Sequence, residues 1–136
     1  MEKLKLGDSP KIEHEFIDAE SSDSKYLIPL DIHRDYGVQH IPGVKFIEYS
    51  PNPTKNQKYE IIIEYQGKQH RIKFGDKRYE QYHDRMPEPA FADKNHGDED
   101  RRKSYLARSS KIRNKNGELT CNDPFSPNRY SILLLW

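Results

Sequence analysis

A chain of 136 residues holds one domain, or one small domain carrying an arm. Only 33% of the residues are hydrophobic against 33% charged, and the mean hydropathy is −1.09, which predicts a small core. Nine Tyr, five Phe and one Trp set the chain apart from disordered tails, which are poor in aromatics. The net charge of +1 excludes a strong overall pull toward nucleic acid.

In chain order, residues 1–25 carry few apolar side chains and include Ser21-Ser22-Asp23-Ser24, a loop signal, so they read as an extended arm. Apolar density rises from Tyr26 to Leu30, where Pro29 favours an edge strand or irregular segment. Ile41-Pro42-Gly43-Val44 reads as a turn feeding a strand at 45–49, which Pro51-Asn52-Pro53 interrupts. The clearest signal follows. Tyr59, Ile61, Ile63 and Tyr65 alternate with Glu60 and Glu64; Gln66-Gly67-Lys68 reverses the chain; Ile72 and Phe74 continue the alternation. That predicts a hairpin with one core face and one wet face.

Tyr79 and Tyr82 stand at helical i, i+3 spacing, which predicts a single helical turn ended by Met86-Pro87. A Pro-rich loop leads to Asp98-Glu99-Asp100, a helix start with its acids at the positive end of the dipole. The helix is expected over 98–112, with Tyr105, Leu106, Ser109 and Ile112 inward, Arg108 and Lys111 near its end, and Gly117 closing it. Asn122-Asp123-Pro124 and Ser126-Pro127-Asn128 read as two consecutive turns before Ile132-Leu133-Leu134-Leu135-Trp136. Those five side chains either fold back onto the core or bury themselves in a partner, because leaving them in water forfeits several kcal/mol.

Enzymatic signals are weak. The single Cys121 cannot form an internal disulfide, and none of the six histidines stands at metal-ligand spacing. Phosphate-cradling glycine loops, zinc-protease motifs and nucleophile elbows are missing. His83-Asp84 is the nearest thing to an acid/base pair, yet sequence neighbours point apart more often than together. No apolar run reaches the roughly 20 residues needed to span a bilayer, and the opening residues lack a signal-peptide core, so the expected origin is a cytoplasm. The basic run from Arg101 to Lys115, which includes Arg102, Tyr105 and Arg108, has two readings: a protein-facing surface, or a surface for phosphates with a tyrosine to stack on a base. Acidic residues outnumber basic ones up to Asp23, which gives this run a partner elsewhere in the chain or in a neighbouring subunit.

The order Ile72-Lys73-Phe74-Gly75, Tyr79, Tyr82, Arg101-Arg102-x-x-Tyr105-Leu106-x-Arg108, Lys111 to Thr120, Asn122-Asp123-Pro124-x-Ser126-Pro127-Asn128 and Leu135-Trp136 resembles a family of small virion structural proteins of tailed phages, crAss-like and other large phages among them, with relatives in large DNA viruses. The resemblance covers roughly 59–136 and departs from the family's pattern at Arg129, where an aromatic often follows Pro-Asn. Residues 1–50 have no counterpart. It implies a capsid auxiliary, decoration or connector protein with no catalytic residues to transfer.

The expectation is therefore an α+β protein: a small antiparallel sheet on a central hairpin, packed by one helix, with residues 1–25 as an arm and 26–136 as a single domain. Its expected work is adhesive, without enzyme activity, cofactor, metal or membrane, in a virion capsid. Ile132, Leu133, Leu134, Leu135, Trp136, Arg101, Arg102 and Arg108 are the expected contacts with a major capsid protein, other virion proteins or further copies of the chain. The alternative is a nucleic-acid-binding protein of virion or host that uses the basic helix.

Overall fold

The alternation around Gln66-Gly67 builds the centre of the fold. A computed structural model describes residues 33–136, and within them β1 (Lys45–Pro51), β2 (Gln57–Tyr65) and β3 (Lys68–Asp76) form an antiparallel sheet in the order β1-β2-β3. Gln66 and Gly67 both have positive φ, 54° and 81°, the conformation that a two-residue hairpin requires. Tyr59 pairs with Phe74 and Ile61 with Ile72, so the hairpin's inward side chains stand opposite one another. The register of β1 on β2 shifts between Phe46 and Glu48, which keeps both Phe46 and Tyr49 buried despite their odd spacing.

The second face of the hairpin is only partly wet. Glu60 faces Arg71 at 3.2 Å and Lys73 at 3.6 Å, as an exposed cross-strand cluster should. Lys58 and Ile62 on that same face are buried. The chain that leaves β3 explains the first of these: Lys58 Nζ donates to the Tyr79 carbonyl at 2.8 Å and to the Gln81 side chain.

That crossing segment is where the expected turn of helix fails. Gln81 instead makes a parallel bridge with Asn95: its N–H donates to the Lys94 carbonyl, and its own carbonyl accepts from His96. Tyr79 is left exposed, while Tyr82 packs against the core. The i, i+3 spacing of two tyrosines is too short a pattern to override this bridge.

Helix α1 (Glu99–Ser109) begins as expected, with the Asp98 carboxylate accepting from the N–H groups of Asp100 and Arg101 at 2.9 and 3.2 Å. It ends one turn early. The Ile112 carbonyl accepts both the N–H and the hydroxyl of Thr120, so the chain has already turned back, and Ile112 is 47% exposed instead of inward. Gly117, at φ 82°, belongs to the tight turn between the bridged residues Arg113 and Leu119 and caps no helix.

A further correction concerns the last turn signature. Ser126-Pro127 opens helix α2 (Pro127–Leu135): the Ser126 hydroxyl accepts from Asn128 N–H at 3.2 Å, and Pro127 sits at the first helical position, where its missing N–H costs nothing. Arg129, Tyr130 and Ile132 to Leu135 are all buried along α2. Its closing carbonyls find donors in the loop beyond β3, with His83 N–H to Leu135 at 3.0 Å and Arg85 N–H to Leu134 at 2.9 Å. The fold is thus α+β, a three-stranded sheet carrying two helices.

Ile132, Leu133 and Leu134 are fully buried in this chain, Leu135 is 2% exposed and Trp136 9%. They join Phe46, Tyr59, Ile61, Ile63, Phe74 and Leu106 in one cluster. Of the two readings open for these five side chains, the structure shows the fold back onto this chain's own core, and exposing Ile132, Leu133 or Leu134 to a partner would dismantle it; Leu135 and Trp136 join that core and also line a groove. Among the described residues the only large apolar side chains left exposed are Tyr79, Ile112 and Phe125. Residues 1–25, expected to be the arm, and the segment around Pro29 lie outside the described residues.

Candidate functional site

A groove of about 950 Å³ runs between the end of β3, the outer face of α1 and the side of α2 that carries Pro127, Ser131 and Leu135. Its apolar lining is Phe74, Tyr105, Leu135 and Trp136, and its rim carries Arg101 and Arg108. Each piece has a local cause. Tyr105 and Trp136 stack face to face with ring centroids 4.0 Å apart and planes 7° apart, which fixes both rings against the wall. Gly75 lies on the lining with φ 83°; a Cβ there would stand 3.0 Å from Lys58 Cβ and 3.2 Å from a Leu135 methyl, so the strand passes closely only because the side chain is missing.

The rim is held by ion pairs. Arg101 donates to Glu80 at 2.9 Å, tying α1 to the crossing segment, and the arginine holds the Glu80 carboxyl below its usual range. Asp76 accepts from Arg78 at 2.8 Å, and these hydrogen bonds bring its pKa down to about 2. Arg108 lies 5.9 Å from the Tyr105 ring centre and makes no carboxylate pair among the described residues. Lys58 lies beneath the groove, where burial and the neighbouring Lys94 lower its pKa to about 8.

The expected basic surface is thereby divided. Arg101 and Arg108 are exposed on the groove, whereas Arg102 is 3% exposed and turned the other way. Its Nε donates to the main-chain oxygen of Trp136 at 2.7 Å, and its guanidinium lies 4.6 Å from the Tyr82 ring centre. Arg102 is corrected from a partner contact to a strut that ties α1 to the end of α2. His33 lies beside it, fully buried. Burial, with Arg102, Arg85 and Arg129 adding positive potential, lowers its pKa to about 3, so the imidazole is neutral at pH 7. Burial likewise lowers Arg85 to about 10, with Arg102 reinforcing it.

A third polar assembly joins sheet and loop. Asp84 Oδ2 accepts from the Tyr59 hydroxyl at 2.6 Å and from Phe91 N–H at 3.1 Å, and its Oδ1 accepts from Met86 N–H at 3.0 Å. The Tyr59 oxygen in turn accepts from Ala90 N–H at 2.8 Å. Burial, then the Asp84 charge, push the Tyr59 hydroxyl far up. Asp84 therefore spends its acceptors on folding the Pro-rich loop, while His83 is exposed and faces away from this work. Among the described residues no group of three His, Cys, Asp or Glu side chains converges, and no helix is long and apolar enough to cross a membrane.

Sequence reasoning missed the groove, because its walls come from four separated segments. The one signal available was the pairing of Gly75 with aromatics at 74, 105 and 136, which matters only once the segments meet. These features define a small α+β protein with a closed core and an aromatic groove. No protein-family model, curated protein or solved structure matches the chain.

Proposed function

We propose that the chain is a non-catalytic accessory protein of a virion, which binds a shell protein through the groove walled by Tyr105 and Trp136. The observation that carries the reading is the groove itself: an apolar lining with a stacked aromatic pair, a rim of both charge signs, and space for several side chains. The resemblance of 59–136 to virion structural proteins supplies the partner class. The fate of the polar groups supports a binding role, since Asp84, Tyr59 and Arg102 are all committed to holding the fold together. Repetition in a symmetric shell lets a groove of this size suffice, because many modest contacts act together.

The nucleic-acid reading keeps Arg101, Arg108 and the Tyr105 ring but loses Arg102, which is buried. A protein partner accounts better for an apolar lining than a phosphate backbone does.

The test uses two exposed positions on the groove wall. Ser104→Trp fills the groove and Arg108→Glu reverses its rim; neither touches the core, so both variants will melt within about 0.5 kcal/mol of the parent. Both will be depleted roughly tenfold or more from purified particles, the equivalent of about 1.4 kcal/mol of lost contact. Unchanged incorporation of both folded variants would overturn the reading. Salt-dependent binding of DNA that both variants lose would replace it with the nucleic-acid one.

A further inference from the structure

We infer that the partner enters the groove as an extended, acidic peptide segment that adds to the sheet along the free edge of β3. The inference rests on the groove being a binding surface, and names the chemistry and the geometry of what it takes.

Topology is the first support. In the order β1-β2-β3, β3 has a neighbouring strand on one side only. On the β1 side of the sheet the Lys58 carbonyl accepts from Asn52 N–H at 2.7 Å, so the even-numbered residues of β2 turn their main-chain groups that way and the odd-numbered ones turn toward β3. Tyr59 pairs with Phe74, Ile61 with Ile72 and Ile63 with His70. Those three β3 residues therefore bond inward, while Gln69, Arg71 and Lys73 point their N–H and C=O groups away from the sheet. All three residues are exposed, and among the described residues no other segment bonds these groups. The opposite edge, β1, carries a register shift and Pro51, two features that blunt an edge; β3 carries neither.

Position is the second. Lys73, Phe74, Gly75 and Asp76 line the groove, so a strand laid along this edge runs into it. Alternate side chains of that strand fall on the two faces of the sheet: one set toward Tyr105, Leu135 and Trp136, the other beside Arg71 and Lys73.

Charge is the third. Lys68, Arg71 and Lys73 make β3 basic, and a single carboxylate, Glu60, serves Arg71 at 3.2 Å and Lys73 at 3.6 Å. Arg108 on the groove rim has no carboxylate partner among the described residues. A second copy of β3 would set these cations against their own kind, and like charges opposite one another destabilise a ladder. A segment that alternates carboxylates with apolar side chains matches the edge and the groove together.

Hydrogen exchange of the full-length chain, read residue by residue by NMR, tests this with a capped synthetic peptide that alternates Glu with Val and Phe. At about ten times its Kd the peptide will slow exchange of the Arg71 and Lys73 amides roughly tenfold, and the same peptide with Lys in place of Glu will not. Lys73→Pro removes one outward N–H at an edge position that tolerates proline, and will weaken binding roughly tenfold. Arg71→Glu keeps every main-chain donor, reverses one charge, and will weaken binding as well. A shift of the Trp136 indole signal without slowing at Arg71 and Lys73 would overturn strand addition, yet leave the groove as the binding surface. No response at either place would overturn it too, with the virion reading still decided by particle incorporation. Slowing that appears in the chain alone as its concentration rises would make a second copy the occupant. Slowing already complete in the dilute chain would show an edge that the chain covers itself, and equal binding of the two peptides would remove the acidic partner.

Discussion

Asp84→Ala will destabilise the protein by about 3–5 kcal/mol, a large part of what holds a domain of this size folded. The substitution strands three donors at once: the buried Tyr59 hydroxyl and Met86 N–H, and the partly buried N–H of Phe91. Each buried donor left without an acceptor costs about 1–3 kcal/mol, and the apolar side chain that replaces the carboxylate returns little of it. The damage spreads because the flanking N–H groups of His83 and Arg85 bond the closing carbonyls of α2. Loosening Asp84 therefore loosens the end of the helix that carries Leu133, Leu134 and Leu135. Urea unfolding of the parent and of Asp84→Ala checks this; a difference under about 1 kcal/mol would mean that water replaces the carboxylate without penalty. Asp84→Asn, which keeps one acceptor oxygen, will fall between the two.

The second large effect is a loss of stability in acid. In the unfolded chain His33 takes up a proton near pH 6.5, whereas in the folded protein it stays neutral until about pH 3. Between those values the unfolded state holds more protons, so stability is fully present above pH 6.5 and is lost as the pH falls toward 3. The slope from this one group reaches about 1.4 kcal/mol per pH unit. Burial of the ring is the main cause, and Arg102, Arg85 and Arg129 around it add to it. His83 and His96, whose pKa values are also lowered by burial, contribute in the same direction. Melting curves from pH 7.5 to 4 will therefore decline steadily, and His33→Gln will flatten them. An identical pH dependence in parent and variant would show that the arginines leave His33 free to take its proton.

Much of the fold was legible where local chemistry and packing agree. The β2–β3 hairpin announces itself through strict alternation and a Gln-Gly reversal, and the start of α1 through Asp98 followed by Glu99 and Asp100. The ends were harder. Ser126-Pro127 is as good a helix start as it is a turn, and what decides between them is the run of buried residues behind it, which the expectation had left between the core and a partner. The early stop of α1 depends on Thr120 claiming the Ile112 carbonyl, a contact between residues eight apart that no window of helical spacing reveals.

The same reasoning explains what was misjudged about the site. A low hydrophobic content predicted a small core, and Arg129 and Asn122 supply by hydrogen bonding what apolar area does not. Arg129 donates to the carbonyls of Gln39 and Cys121, each at 2.9 Å, and Asn122 bonds both Gly37 and Gln39. This polar strap pins the segment before β1 to α2 and to the turn that precedes it, across more than eighty residues of chain. Nothing in the local sequence marks either residue for that work. Arg101 and Arg108 are exposed, while Arg102, next to Arg101, faces inward because a helix turns its successive residues by about 100°.

α2 and Trp136 complete the protein's own core, which leaves the groove as the surface proposed for a partner. Amide hydrogen exchange on the isolated chain tests it most directly, since it reads the protection of α2 with no other protein present. The amides of Ile132 to Leu135 are predicted to exchange as slowly as those of β2 and β3, through global unfolding alone. Exchange of these amides at the rate of a free peptide, while the sheet stays protected, would contradict the claim and return the last five side chains to a partner.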